Sequence, residues 1–399
     1  MPGFELFGDE ERKEVQDVLE TGVLMRYGFD QARKGHWKAR TFEMELAQRL
    51  GSAHCHLCAS GTAALTTALA ACGIGAGDEV IVPPFTFVAT FEAILAAGAV
   101  PVFAEIDETL CLNPDRLEAA LSPRTKAVMP VHMCGAMARI DAIAQFCAQQ
   151  GLVLIEDACQ AVGGTFQGKA LGTFGAMGCF SFDPVKTITC GEGGAVITDD
   201  ETLYRTAHAF SDHGHDHIGS DRGLEGHPVM GLNFRISELN AAVGVAQLRK
   251  LDAILKTQRA HKKVLRDALA TVDGISLRVL PDEAGDSATF LSFFMDSEDR
   301  ARQATAALAA AGVDGCFYWF DNNWHYIRKW DHLKALRSCA PLTLTLMADP
   351  PDYGRIFLPE SDRIMARTLS MQIKLSWSAD DVARRAETMV RVLKELGAV

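Results

Sequence analysis

Short apolar runs alternate with amphipathic segments along the first half of the chain. Between residues 41 and 198 the apolar runs have the length of β-strands, and the segments between them show helical spacing. This alternation is typical of βαβ units, so we expect an α/β fold with a mostly parallel central sheet flanked by helices. The predicted strands are 54–58, 79–82, 100–104, 126–131, 152–155, 177–182 and 195–198, and the predicted helices are 42–50, 62–72, 87–97, 114–121 and 140–149.

The pattern changes after residue 199, where helical spacing dominates. We predict a large domain at 1–255, in which residues 1–35 form an N-terminal arm, and a small α+β domain at 256–399. The elements predicted in the second half are a long amphipathic helix from about 237 into the 260s, strands at 275–280 and 290–294, and helices at 300–311 and 379–396.

The composition excludes several classes of function. The 399 residues carry a net charge of −12 and no long run of Lys or Arg, so the basic surface of a nucleic-acid-binding protein is missing. The acidic N-terminus does not resemble a signal peptide, and polar and proline residues interrupt the most apolar window, so no membrane span is expected. Eleven cysteines scattered through apolar runs fit reduced thiols in a cytoplasmic protein.

Two groups of residues have the composition of metal ligands. Cys55 and Cys58 form a Cys-x-x-Cys pair, but no second ligand pair follows nearby, and the local alternation fits a short strand. His213, His215 and His217 lie in a glycine-flanked loop, which gives ligands no fixed helical face. We therefore predict a strand and a polar active-site loop, and no metal site.

Lys186 is the principal candidate for chemistry. It lies between an apolar strand and the glycine-rich turn at 191–194. A desolvated lysine becomes an amine nucleophile that can form a Schiff base with a carbonyl compound or with pyridoxal phosphate. The alternative is a side chain that extends from a loop into solvent, which is common for lysine.

Four further motifs could form a site around this lysine. Residues 60–62 begin a helix and offer backbone N–H groups to a phosphate, although such triplets cap many helices. Asp157 ends a buried strand, where open sheets bind ligands, but it could instead cap a turn. Phe87 could stack on a flat cofactor or belong to the core. Asn233 precedes the long helix and could serve only to form a turn.

The order and spacing of these motifs resemble the DegT/DnrJ/EryC1/StrS family of sugar aminotransferases, which are fold-type-I pyridoxal-phosphate enzymes. The similarity extends from about residue 40 to residue 255. The matching segments are 60–62, 83–88, 156–163, 181–186, 191–194 and 231–238.

This resemblance implies roles for individual side chains. Lys186 would form the Schiff base with pyridoxal phosphate and act as general base, while Asp157 would hold the pyridine nitrogen. Gln160 would lie near the ring hydroxyl, and Phe87 would stack on the ring. The implied phosphate ligands are Gly61, Thr62, Ser181 and, from the second subunit of a homodimer, Asn233.

The residues before the lysine depart from the family pattern. Many members have His-Gly-Thr or Pro-Thr there, whereas this chain has Asp183-Pro-Val, which leaves the substrate contacts open. Some relatives carry histidine in place of the lysine and act as dehydratases, so Lys186 favours transamination.

Segments outside the shared core indicate the substrate. Residues 1–8, 211–219 and 315–326 resemble family members that aminate C8 of an oxidised 3-deoxy-manno-octulosonate, a sugar acid of lipopolysaccharide. We expect L-glutamate as the amino donor and an upstream sugar dehydrogenase as the source of the aldehyde. Aromatic and amide side chains suit a polyol and a cation suits its carboxylate, although the tryptophans would equally fit a buried interface. The candidate substrate residues are Arg26, His213, His215, Arg235, Trp319, Asn322 and Trp324.

Two other functions remain open. The chain could be an aminotransferase or dehydratase for a nucleotide-linked keto sugar, or a non-catalytic regulator that binds pyridoxal phosphate. No basic helix-turn-helix segment supports the regulator. The glycines at 73–77 precede a strand instead of following one, so they do not meet the structural condition of a dinucleotide-binding motif.

Overall fold

The computed structural model describes residues 3–219 and 221–397; residues 1 and 2 of the predicted N-terminal arm and residues 398 and 399 of the predicted small domain lie outside this part. Its helices are α1 (Asp9–Leu19), α2 (Lys38–Leu50), α3 (Gly61–Ala71), α4 (Ala89–Ala96), α5 (Ile140–Gln150), α6 (Glu201–Phe210), α7 (Glu238–Arg249), α8 (Leu251–Leu269), α9 (Glu298–Ala310), α10 (Asp331–Lys334), α11 (Pro359–Met365) and α12 (Ala379–Gly397). Its strands are β1 (His54–Cys58), β2 (Glu79–Val82), β3 (Val100–Phe103), β4 (Thr125–Val128), β5 (Val153–Asp157), β6 (Thr165–Phe166), β7 (Lys169–Ala170), β8 (Met177–Ser181), β9 (Gly194–Thr198), β10 (Ser276–Leu277), β11 (Phe290–Phe294), β12 (Cys316–Tyr318) and β13 (Thr368–Gln372).

Seven strands form the central sheet in the order β1-β9-β8-β5-β4-β2-β3. β9 runs antiparallel to both of its neighbours, and the other pairs are parallel. Alternate residues of β9 enter different cores, with Val196 in one and Ala195 and Ile197 in the other, because helices cover both faces of the sheet. The predicted α/β fold with a mostly parallel sheet is confirmed.

The second sheet is antiparallel, in the order β10-β11-β13-β12. Helices α8, α9 and α12 pack on it through apolar side chains such as Leu265, Leu308 and Met389. In α9 the buried residues Ala301, Ala304 and Leu308 recur every three or four positions, which places them on one helix face. This part of the molecule has the predicted α+β character.

Helix α8 belongs to both cores. Leu251 and Ile254 pack with the central sheet, whereas Leu265 and Leu269 pack with the second sheet. The predicted boundary at 255/256 therefore falls inside a helix, and the division into two domains stays a prediction.

Two predicted helices differ from the structure. The segment 114–121 forms two short 3-10 turns, because Leu117 is its only fully buried side chain and one contact cannot stabilise an isolated helix. The long helix predicted from 237 is two helices that meet at Lys250, whose ammonium donates to the carbonyl of Leu6 at 2.8 Å and to the carboxylate of Glu11 at 2.7 Å.

No described helix is long and apolar enough to cross a membrane. Within residues 3–219 and 221–397, no group of three or more His, Cys, Asp or Glu side chains has the arrangement of a metal site. The predicted strand at Cys55 and Cys58 is β1.

Candidate active site

A cavity of about 440 Å³ opens where several strands of the central sheet end. Asp157 is the last residue of β5, Ser181 is the last residue of β8, and Lys186 follows in the next turn. Such carboxyl ends of parallel strands are where open α/β sheets bind ligands. One wall, here called the cofactor end, contains Gly61, Thr62, Phe87, Asp157, Gln160, Ser181 and Lys186. A second group of lining residues, here called the sugar end, contains Phe317, Trp319, Asn322, Trp324 and His325.

The N-terminus of α3 forms a compact anion cradle. The Oγ of Ser60 accepts the backbone N–H of Ala63 at 3.0 Å, which leaves the N–H groups of Gly61 and Thr62 for a ligand. A Cβ atom on Gly61 would lie 2.7 Å from the Cβ of Ser181, so the start of the helix can approach β8 only with glycine at this position. The cradle therefore combines backbone donors with the hydroxyl of Ser181, as a phosphate requires.

The carboxylate of Asp157 is fixed by two donors at the floor of the cavity. The hydroxyl of Thr90 donates to Oδ2 at 2.7 Å, and the backbone N–H of Cys159 donates to Oδ1 at 3.2 Å. The residue is 4% exposed, so its carboxylate is held in one orientation away from bulk water. A charged carboxylate in this place can keep a pyridine nitrogen protonated.

The ammonium group of Lys186 projects into the cavity. Its Nζ lies 5.8 Å from the centroid of the Phe87 ring, and the residue is 9% exposed. The backbone is held on both sides, since the N–H donates to the carbonyl of Asp183 at 3.0 Å and the carbonyl accepts the N–H of Gly3 at 2.9 Å. Among the described residues no acceptor forms a hydrogen bond with Nζ, which leaves it for a ligand.

The sugar end is an aromatic wall docked against the cofactor end. Trp324 stacks on Phe87 with the ring centroids 5.6 Å apart and the planes at 3°. Trp319 stacks on Phe317 at 4.9 Å, and its buried indole N–H has no hydrogen-bond partner among the described residues. The docking is made by main-chain bonds, because the N–H groups of Thr86 and Val88 donate to the carbonyls at 325 and 324, each at 3.0 Å.

His325 is held in one tautomer. Its Nδ1 lies 2.9 Å from the Oδ1 of Asn322, which can only accept, so Nδ1 carries the proton and Nε2 is an acceptor. Burial, with a smaller contribution from the positive charge of Lys186, lowers the pKa of His325 to about 3. The cavity therefore contains a neutral imidazole at ordinary pH.

The structure does not bring every predicted site residue to this cavity. Arg26 is buried and pairs with Glu43 at 2.6 Å, and Arg235 pairs with the buried Asp212. His213 is exposed, and His215 lies 2.9 Å from Glu225. Asn233 is also exposed, in a β-bridge with the residue at 212. Within this chain the predicted residues that line the cavity are Gly61, Thr62, Phe87, Asp157, Gln160, Ser181, Lys186, Trp319, Asn322 and Trp324.

Several lining residues were not predicted as site residues. Thr90 is one turn into a predicted helix, and nothing in its local sequence indicates that its hydroxyl reaches a carboxylate 67 positions away. Phe317 and Gln372 come from two paired strands of the second sheet. His325 had a usable signal, since it lies within the aromatic and amide run at 319–326.

The cavity fits pyridoxal phosphate, the cofactor expected from the sequence. The cradle at Gly61 and Ser181 suits its phosphate, and the carboxylate of Asp157 suits its ring nitrogen. Phe87 and Lys186 line the same cavity. A phosphate cradle, a carboxylate and a lysine side chain are the groups that this cofactor requires.

Comparisons with known proteins place the chain in a family. The model of the DegT/DnrJ/EryC1/StrS aminotransferase family matches residues 6–390. The L-glutamine:2-deoxy-scyllo-inosose aminotransferase of Streptomyces kanamyceticus is 44% identical over 58% of this chain and 56% of that protein. The spore coat polysaccharide biosynthesis protein SpsC of Bacillus subtilis is 34% identical over 98% of this chain and 96% of that protein.

Solved structures agree with this assignment. The crystal structure of 3-amino-5-hydroxybenzoic acid synthase has a TM-score of 0.82 at 30% identity, over 98% of this chain and 97% of that chain. NtdA from Bacillus subtilis, solved with bound cofactor PMP, has a TM-score of 0.79 at 26% identity, over 98% of this chain and 84% of that chain.

Proposed function

The chain belongs to the DegT/DnrJ/EryC1/StrS aminotransferase family and is a pyridoxal-phosphate-dependent enzyme, and from that premise we propose its substrate. It transfers an amino group from L-glutamate to C8 of an oxidised 3-deoxy-manno-octulosonate, giving 8-amino-3,8-dideoxy-manno-octulosonate for lipopolysaccharide. The observation that carries this proposal is that Lys186 lines the same cavity as a group of aromatic and amide side chains.

The residues of the cofactor end would hold pyridoxal phosphate at both ends of its ring. Gly61, Thr62 and Ser181 would bind the phosphate, and Asp157 would pair with the ring nitrogen. Gln160 would lie at the ring hydroxyl, and Phe87 would cover one face. When bound, the cofactor supplies an electron sink for amino-group transfer.

Lys186 would move the proton on which the transfer depends. In its deprotonated form Nζ can take a proton from the donor carbon that carries the amino group, and it can later return a proton to the acceptor carbon. Nζ lies 5.8 Å from the centroid of the Phe87 ring, on which the cofactor ring would stack.

The sugar end offers what a polyol requires. The faces of Trp319 and Trp324 can cover the C–H groups of a sugar, and the unpaired indole N–H of Trp319 can donate to a hydroxyl. Asn322 has its Oδ1 engaged by His325, which leaves its amide nitrogen to donate. A sugar acid could bind along this wall with its C8 at Lys186.

A second copy of the chain would complete the site. Asn233, the proposed phosphate ligand from the partner, is exposed, and the segment that precedes it carries exposed apolar side chains: Ile218 at 73%, Leu224 at 84% and Met230 at 94%. Exposed apolar groups of this size are typical of an interface. A homodimer would bury them, and the guanidinium of Arg235 or the imidazole of His213 could then contact the substrate carboxylate of the neighbouring site.

The reaction needs an aldehyde, so an enzyme that oxidises the C8 alcohol must act first. All eleven cysteines are free, and most of them are buried, which suits a reducing compartment such as the cytoplasm. We place both steps there.

The second candidate substrate is a cyclic keto sugar or cyclitol, because the relative from Streptomyces kanamyceticus is named for 2-deoxy-scyllo-inosose. The candidate substrates differ in charge. The octulosonate carries one carboxylate, a ketocyclitol is neutral, and a nucleotide-linked sugar carries a diphosphate.

A half-reaction assay decides between them. The enzyme is converted to its amino form with L-glutamate, separated from the donor, and mixed with the C8 aldehyde of the octulosonate, with 2-deoxy-scyllo-inosose or with a nucleotide-linked 4-keto hexose. We expect the C8 aldehyde to restore the original absorbance at the lowest concentration. Faster reaction with either of the other compounds would reject the octulosonate.

A further inference from the structure

The side chain of Gln160 is oriented by one main-chain group. Its Oε1 accepts the backbone N–H of Cys134 at 2.9 Å. Because a carboxamide has one acceptor and one donor end, this bond leaves Nε2 as the free end of a side chain that lines the cavity. The position of the Cys134 amide therefore decides where Gln160 can donate.

That amide belongs to a strained turn. Cys134 has φ 57° and ψ 29°, in the left-handed region that residues with a Cβ rarely adopt, and Gly135 follows with φ 79°. Left-handed backbone at a non-glycine residue persists only where surrounding contacts enforce it. The contacts that enforce it here should therefore matter to Gln160.

Two hydroxyls from the segment before β11 hold this turn. Thr289 donates from Oγ1 to the carbonyl of Cys134 at 2.9 Å, and Ser287 donates from Oγ to the carbonyl of Gly135 at 2.8 Å. Both side chains are fully buried. A Cβ on Gly135 would lie 2.2 Å from each hydroxyl oxygen, so the two hydroxyls pack directly against the turn and leave no room for a side chain at this position.

The segment that carries these hydroxyls is itself anchored on α8. Lys262 forms a buried ion pair with Asp286, and Arg259 donates to the carbonyl of Asp286 at 2.8 Å. The other carboxylate oxygen of Asp286 accepts the N–H of Ala288 at 3.0 Å. A continuous set of polar contacts thus runs from α8 to the turn that orients Gln160.

We propose that Thr289 and Ser287 are positioning residues for Gln160. They hold the turn at Cys134 and Gly135 so that the carboxamide donates to the ring hydroxyl of the cofactor, which couples the second sheet to the chemistry of the first. This inference rests on the proposed place of Gln160 beside that hydroxyl.

The test is a pH titration of the visible absorbance of the Lys186-bound cofactor in purified holoenzyme. A donor at the ring oxygen withdraws charge from it; without that donor the oxygen binds the neighbouring imine proton more strongly. We expect Thr289→Val to raise the titration midpoint by about 0.5–1 pH unit, the size of one lost hydrogen bond. Thr289→Ser, which keeps the hydroxyl, should restore the midpoint.

The matched control is Ser292→Ala. Ser292 lies on β11, and its hydroxyl forms a buried hydrogen bond of 2.7 Å with the hydroxyl of Ser370. The alanine variant therefore loses a buried hydroxyl bond that does not involve the turn at 134–135. Its midpoint should equal that of the wild type. Ser287→Ala is the second test variant, because it keeps the backbone bond from 287 to Gly135 and should fold even where Thr289→Val does not.

Gln160→Ala separates failure of this inference from failure of the proposed function. If Gln160→Ala raises the midpoint while Thr289→Val and Ser287→Ala titrate like the wild type, the positioning role is wrong and the cofactor site stands. If Gln160→Ala also leaves the midpoint unchanged, Gln160 does not act at the ring. In the double variant Thr289→Val/Gln160→Ala, the midpoint should equal that of Gln160→Ala alone; additive shifts would contradict the inference.

Discussion

The two walls of the cavity are built in different ways. At the cofactor end the side chains follow directly from strand ends and one helix start, as with Asp157 at the end of β5 and Ser181 at the end of β8. At the sugar end Phe317 comes from β12, and the other side chains come from the segment after it, which main-chain bonds attach to the loop at 85–88. We therefore expect the cofactor chemistry to depend on the central sheet, and substrate choice to depend on the segment that follows β12.

The largest effect is expected at the cofactor end, from Lys186→Ala. Loss of the amine removes both the covalent attachment and the base, so kcat should fall by about 10⁴-fold or more. Single-turnover absorbance with L-glutamate measures it. Lys169→Ala is the control, because this lysine lies over Phe174 and outside the cavity. A Lys186→Ala variant with more than a tenth of the wild-type rate would contradict the assignment.

The next effect tests the phosphate cradle. Gly61→Ala places a Cβ 2.7 Å from that of Ser181, so either the helix start or β8 must shift. Overpacking of this kind costs about 1–3 kcal/mol, and we expect the dissociation constant for pyridoxal phosphate to rise about 10–100-fold. Fluorescence titration of the apoenzyme measures it.

The control for the cradle is Gly75→Ala, where the nearest atom to an added Cβ is 3.8 Å away. It should bind the cofactor like the wild type. Equal affinities for the two alanine variants would show that the start of α3 does not bind the phosphate.

A smaller effect is expected at the sugar end. Trp324→Ala removes the ring stacked on Phe87, and loss of such a contact costs about 0.5–1.5 kcal/mol, so KM for the sugar should rise about 2–12-fold. The half-reaction with L-glutamate should change less. Phe357→Ala is the control, since that ring is 83% exposed and outside the cavity. An equal loss in both half-reactions would place Trp324 in the common chemistry instead.

The smallest effect on catalysis is expected from replacing His208, which should change the stability of the protein in acid instead. Nε2 of His208 forms a hydrogen bond of 2.8 Å with the hydroxyl of Tyr27, and its ring stacks on that of His217 with the centroids 4.1 Å apart. Burial, then repulsion from His217, lowers the pKa of His208 to about 3. Since its unfolded pKa is about 6.5, the stability it contributes is complete above pH 6.5 and is lost as the pH falls towards 3.

Urea midpoints between pH 7 and 4 check this expectation. They should fall less steeply with acid in His208→Gln than in the wild type. His36→Gln, which replaces a half-buried imidazole outside the stack, is the control. Parallel pH profiles for His208→Gln and the wild type would show that the stack does not govern acid stability.

The contrast between the two walls also explains what the sequence could predict. The strand and helix order predicted the α/β fold, and local motifs predicted residues such as Asp157 and Lys186 that meet in one cavity. The arginines predicted to bind the substrate do not line the cavity. They were chosen for their charge, but Arg26 pairs with Glu43 and Arg235 pairs with Asp212, and neither carboxylate is close in sequence. Hydrogen bonds across the fold, such as that from Thr90 to Asp157, leave no local pattern.

Chemical trapping tests most directly whether Lys186 carries the cofactor. The holoenzyme is reduced with borohydride, digested, and its peptides are analysed by mass spectrometry. We predict one phosphopyridoxyl group per chain, on the peptide that contains Lys186, and no label on that peptide in Lys186→Ala. A label on a different lysine, or a holoenzyme that retains no label, would contradict the assignment of Lys186.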